Sequence, residues 1–169
     1  LGYTTWDPSL VINPYMRFLE SSGWQFGYGF LRPGFVERPD AYKFFYTSNL
    51  SLKRAAFEQE KFDEKFTAYG WEDIELGYRL AQRHNLRLFY EPTALAYHHH
   101  VVPPTQLPEK MRAVGRAALV FESLHPGAGA VPRGLKKWIL QIATTPLALA
   151  VGRLLGLSFY YKLSSWREF

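Results

Sequence analysis

Turn-forming residues cut this chain into short pieces. Asp7-Pro8, Asn13-Pro14, Pro33-Gly34, Pro39-Asp40, Glu91-Pro92, Pro103-Pro104 and the His125-Pro-Gly127 run each interrupt whatever element precedes them. Proline lacks a backbone N–H and glycine tolerates angles that other residues avoid, so such pairs mark turns. With 11 Pro and 13 Gly in 169 residues, an all-helical bundle is disfavoured. The pieces are still apolar enough to pack: 47% of the chain is hydrophobic, 17% aromatic and 21% charged. That balance supports one ordinary core and excludes a disordered tail, a collagen-like repeat and a coiled coil. The absence of cysteine excludes disulfides, a thiol nucleophile and thiolate zinc sites.

Between the turns, hydrophobic spacing suggests the elements. Leu1–Trp6 is β-prone from its first residue, without initiator Met or targeting pattern, which leads us to expect a piece of a longer protein. A short helix is expected around Tyr15–Glu20, and strands over Trp24–Phe30 and Phe44–Ser48. Leu52–Phe57 suggests another short helix. Trp71, Ile74, Tyr78 and Ala81 recur at spacings of three and four, predicting an amphipathic helix that ends near Asn85. Leu86–Tyr90 and Ala94–His100 suggest two strands about a Glu91-Pro92 turn, and Leu107–Leu124 a longer helix. Gly127–Gly134 is a small-residue linker.

Charge divides the chain in two. Residues 1–126 hold 14 basic and 14 acidic side chains, whereas the tail holds Arg133, Lys136, Lys137, Arg153, Lys162 and Arg167 against Glu168 alone. The basic residues accompany Trp138, Phe159, Tyr160, Tyr161 and Trp166 rather than spreading over a face, which argues against a nucleic-acid module and for an anionic membrane surface. Trp138–Gly152 is too short and too interrupted to span a bilayer. Two short amphipathic helices broken at Pro146 are expected, lying in an interface or packed on the protein's own core.

Three clusters could carry chemistry. In Tyr69-Gly-Trp-Glu-Asp-Ile-Glu-Leu-Gly-Tyr-Arg-Leu80, Glu72 and Asp73 open a helix. Acids in a first turn complement the helix dipole, and one of two adjacent carboxylates can also face a cleft as a general base. Trp71 beside them could offer its ring to the apolar face of a sugar. His98 and His100 would share one side of a strand, as two imidazoles for one metal or as exposed strand-end residues. With no cysteine, mixed nitrogen and oxygen ligation would favour Mn²⁺ or Mg²⁺. Thr47, Ser48, Asn49 and Ser51 cluster at a strand–helix junction, where Ser51 suits a cap and Asn49 could hold a substrate hydroxyl or brace the Glu72–Asp73 loop.

Taken in order, T-S-N-L-S-L-K-R, F-D-E-x-F, G-W-E-D-I-E-L-G-Y-R-L and a strand ending in H-H-H resemble glycosyltransferase family 2. The likeness covers about Leu1 to Arg116 and is to the acceptor-side half of a GT-A fold enzyme. It implies an α/β fold, the C-terminal part of a GT-A domain, with a mixed sheet, flanking helices and a helical tail. Residues 1–126 would form the acceptor and catalytic half, and 127–169 the tail. The resemblance makes Asp73 the base that deprotonates an acceptor hydroxyl and Glu72 its positioning partner. It places Asn49 and Ser48 at the acceptor site, Trp71 and Arg79 in its wall, and His98, with His100 as second candidate, on a divalent cation. An inverting transfer from a nucleotide-sugar donor to a saccharide or lipid-linked acceptor is the implied reaction.

The family's Asp-x-Asp, which holds metal and diphosphate, is nowhere in these residues. The chain is therefore expected to be a fragment, inactive on its own, with an open sheet edge that a second copy could shield by dimerising. A cytoplasmic protein, peripheral on the inner membrane face through 130–169, is the expected setting. The rival from another class is a non-catalytic membrane-surface or interaction domain. Glycoside hydrolysis is disfavoured, because adjacent carboxylates cannot flank a sugar from opposite faces.

Overall fold

The computed structural model describes residues 1–25 and 27–169. The described chain is mixed α/β, with a three-stranded mixed sheet and seven α-helices. In order these are β1 (Gly2–Trp6), α1 (Pro14–Ser22), β2 (Gly34–Phe35), α2 (Arg54–Gln59), α3 (Glu72–His84), β3 (Phe89–His98), α4 (Leu107–Leu124), α5 (Gly134–Ala143), α6 (Pro146–Leu155) and α7 (Leu157–Glu168). They divide into two compact units.

The first unit comprises residues 1–12, 19–64 and 72–101. Its sheet runs β1-β3-β2, with β1 parallel to β3 and β2 antiparallel. Glu91-Pro92 does not end the strand, as the sequence suggests, but slips its register. Gly2 faces Glu91 while Tyr3 already faces Leu95, so Pro92–Ala94 arch out of the ladder. Proline has no N–H to give that ladder, and the Glu91 carboxylate closes the arch by accepting from Thr93 N at 3.0 Å and Oγ1 at 2.6 Å. Backbones crowd here: a Cβ on Gly2 would stand 2.2 Å from the Ala94 carbonyl, which only glycine avoids.

α3 covers the core of this unit. Leu76 and Leu80 pack with Phe44, Phe45 and Leu88, all buried. Gly77, in the middle of the helix, lets the Phe45 ring close in, since a Cβ there would lie 2.6 Å from that of Phe45. The strands expected over Trp24–Phe30 and Phe44–Ser48 are not formed. Tyr28–Phe30, Ala41–Phe44 and Thr47–Asn49 are single 3-10 turns, and Phe26 lies outside the described residues. Tyr28 stacks on Tyr90 at 5.8 Å and meets Tyr3 edge-on at 5.1 Å, while Phe44 and Phe45 are both buried. Phe44 and Phe45 are successive and both buried, which the one-faced alternation of a half-covered strand does not give.

The second unit comprises residues 13–18, 65–71 and 102–169. Asn13 caps α1, accepting from Tyr15 N and Met16 N at 2.9 and 3.0 Å, with Pro14 at the first helical position. Tyr15, Met111, Ala118 and Phe121 are fully buried. Tyr161 of α7 packs on Tyr15 and Phe18 at 5.2 and 5.7 Å. α7 can lie close to α4 at Gly115, where a Cβ would stand 2.4 Å from the Phe169 carbonyl. Glu122 ties down the linker, accepting from Gly127 N, Ala130 N and the Arg133 guanidinium. Among the described residues no single helix is long and apolar enough to cross a membrane, and α5 and α6 bend by 70° at the break before Pro146.

Candidate active site

Asp73 sits in the first turn of α3, among the acids Glu72, Asp73 and Glu75, with Arg83 and His84 in the last turn. That distribution complements the helix dipole at both ends. The carboxylate is held from within the helix by Ile74 N, which donates to Oδ1 at 2.8 Å, and from outside it by Thr47 N, which donates to Oδ2 at 3.3 Å. Burial, followed by the neighbouring Glu72 charge, pushes its pKa up from 3.8 to about 6, against the pull of those amides. Asp73 is thus ionised at neutral pH yet close to taking a proton, the condition a general base needs.

Glu72 presents a second polar feature. Its Oε2 is buried and accepts no hydrogen bond from the described residues. A buried carboxylate oxygen without a donor is costly, typically about 1–3 kcal/mol or more.

The T-S-N run splits three ways. Thr47 supplies the amide that holds Asp73, a contribution from the backbone that residue type does not announce. The Ser48 hydroxyl is 3.3 Å from that of Thr4. Asn49 turns the other way and stitches the sheet, its Nδ2 donating to Tyr3 O at 3.1 Å and Ala94 O at 2.7 Å. It fills the gap left by the slipped register, so its Nδ2 group serves the sheet rather than the Glu72–Asp73 loop.

Arg79 is likewise engaged within the protein. Its guanidinium donates to both Glu75 oxygens, at 2.7 and 2.8 Å, and to Glu60 and the Lys61 carbonyl. Glu60 is shared with Arg83 at 3.0 Å and His84 at 3.3 Å. These bonds make Arg79 a brace between α3 and the segment after α2. Trp71 packs its ring on Phe121 at 4.9 Å within the second unit. Its backbone is unusual, with φ of 70° directly after Gly70 at 102°. A left-handed tryptophan costs of order 1–3 kcal/mol.

His98 ends β3 opposite Trp6, with its ring 5.5 Å from the Trp6 ring and 5.9 Å from that of His100. The intervening His99 faces Asp7, Nδ1 to Oδ2 3.3 Å. β3 ends at His98, so His99 and His100 follow the strand rather than continue it as the sequence suggests. Among the described residues no three acidic or imidazole side chains converge as a metal-binding group. Mg²⁺ and Mn²⁺ favour oxygen donors, so a cation on His98 and His100 would need oxygen ligands beyond those grouped here.

Compared with protein-family models, curated proteins and solved structures, the chain matches none.

Proposed function

We propose that this chain carries the acceptor-side catalytic face of an inverting glycosyltransferase of GT-A type, with Asp73 as general base. The observation that supports this most is the Asp73 carboxylate, anchored by two backbone amides and poised near pH 6 beside the undonated Glu72 oxygen. In the proposed reaction an acceptor hydroxyl donates to Asp73 as its oxygen attacks the anomeric carbon of a nucleotide-sugar from the face opposite the leaving diphosphate. Asp73 takes the proton, the new glycosidic bond forms, and the sugar–phosphate bond breaks with its electrons going to the diphosphate. Glu72, next to the base, binds the acceptor or positions Asp73. The acceptor is a saccharide or a lipid-linked saccharide.

The test is made on the complete gene product, scoring release of nucleoside diphosphate from a panel of nucleotide-sugars with saccharide acceptors. Asp73→Asn is expected to lower turnover by about 10²–10⁴-fold with the fold intact. In the wild type, kcat/KM should fall as pH drops through about 6, where Asp73 becomes protonated. Unchanged turnover in Asp73→Asn, or a flat acid limb, removes the assignment.

A further inference from the structure

The tail reverses the usual rule for amphipathic helices, which turn their apolar stripe inward. On α5, Leu135, Trp138, Ile139 and Ile142 stand at helical spacing and are 56–75% exposed. On α6, Leu147, Val151, Leu154 and Leu155 repeat the pattern, and Leu154 is 88% exposed. Two consecutive stripes facing solvent form a larger apolar surface than scattered side chains would. Cations border them. Lys136 and Lys137 lie on α5, with the Lys136 ammonium 5.6 Å over the Trp166 ring, and Arg153, Lys162 and Arg167 follow.

A cavity of about 520 Å³ opens in the same unit. Leu149 and Leu157 form part of its apolar wall, and Arg153, Arg167, Tyr160 and the buried Ser164 bring polar groups to it. Its acid, Glu168, is paired with Arg112 at 3.3 Å. Arg153 donates to the Tyr160 phenol at 3.0 Å and covers its ring. The Ser164 hydroxyl makes no standard hydrogen bond among the described residues. Leu157, itself half exposed, belongs to both the cavity wall and the apolar surface.

We propose that α5, α6 and the start of α7 lie in the surface of an anionic phospholipid membrane, with the cavity between Arg153 and Arg167 taking a lipid phosphate headgroup. Charge complementarity selects this occupant. The tail holds six basic residues against one acid, so two copies meeting through this face would oppose like charges. An anionic bilayer offers apolar depth for the stripes and negative charge for their border. This inference stands apart from the sugar-transfer reading, since vesicle binding reports on the tail and product formation on Asp73.

The test is co-sedimentation of the whole chain with vesicles of phosphatidylcholine alone and of phosphatidylcholine with one-third phosphatidylglycerol. Strong partitioning onto the anionic vesicles alone is expected. Arg153→Gln with Arg167→Gln should weaken it on the order of 20-fold. Ile142→Gln with Leu154→Gln, at exposed positions that the fold does not use, should weaken it further. No vesicle binding, or equal binding to neutral vesicles, overturns the proposal. So does an arginine variant that binds like the wild type, which would empty the cavity of its role. A dimer in solution that the Ile142/Leu154 variant abolishes would make a second copy the occupant. Thermal stabilisation by inorganic phosphate that depends on the two arginines and matches that by anionic vesicles would make a free anion the ligand.

Discussion

α3 and the α5–α6 pair are written in the same helical pattern and meet opposite fates. In α3 the apolar residues Leu76 and Leu80 are buried against Phe44 and Phe45, and even the polar Glu75 is 1% exposed because Arg79 engages both its oxygens. In α5 and α6 the stripes point away from the protein, and only Gly152 of the two helices is fully covered. A period of three and four residues therefore locates a helix. The stripe it marks at α3, Trp71, Ile74, Tyr78 and Ala81, is only partly covered, whereas Glu75, Leu76, Gly77 and Leu80 are buried. The period does not specify what a face meets. The first helix buries its apolar residues in the core, and the second pair leaves them exposed.

The sharpest way to break this contrast is Leu80→Ala. Leu80 is fully buried, and truncating such a side chain removes its transfer energy and leaves a cavity. A loss of about 2–5 kcal/mol is expected in urea unfolding. A loss under about 0.5 kcal/mol would mean that α3 is not the cover of its core, and the comparison would collapse.

Asp73 sharpens the contrast from the polar side. Its ordinary value of 3.8 describes the unfolded chain, and in the fold burial and then Glu72 raise it to about 6. Between these values the folded protein binds more protons, so the contribution of Asp73 to stability is full below pH 4 and is lost as pH rises through 6. Asp73→Asn cannot ionise. It should therefore gain stability over the wild type as pH rises from 4 to 6 and keep that gain above, by at most about 3 kcal/mol. Thermal melts at pH 4 and pH 8 measure it. An Asn variant that is less stable at both values would show that the carboxylate serves the fold and not a reaction.

Much of this was legible before any coordinates. Helical spacing and the turn residues around them located α3 and α4 closely, and Pro146 divided the tail where the backbone bends. α7 was not foreseen, because Leu157–Glu168 mixes polar and aromatic residues without a clean stripe. The aromatic alternation of residues 24–30 misled for a related reason: Tyr28 is covered by Tyr3 and Tyr90, partners far away in sequence. At the candidate site, Asp73 and the nearby T-S-N run could be picked out by type and spacing. The division of labour within that run could not. Asn49 works on a register slip that exists only once β1 pairs with β3, and Arg79 on Glu60, which lies 19 residues earlier.

The smallest expected effect is the most telling about the tail. Leu154 is 88% exposed, so Leu154→Gln removes almost no buried apolar area. Its unfolding free energy should stay within about 0.5 kcal/mol of the wild type, as for other surface changes away from packed features. Urea denaturation followed by tryptophan fluorescence resolves a difference of that size only by the midpoint, since the slope will not change. A buried leucine replaced by glutamine would instead strand an amide in the core and cost several-fold more. If Leu154→Gln behaves that way, the α6 stripe is packed on the protein in solution, and no apolar face is left for a membrane to take.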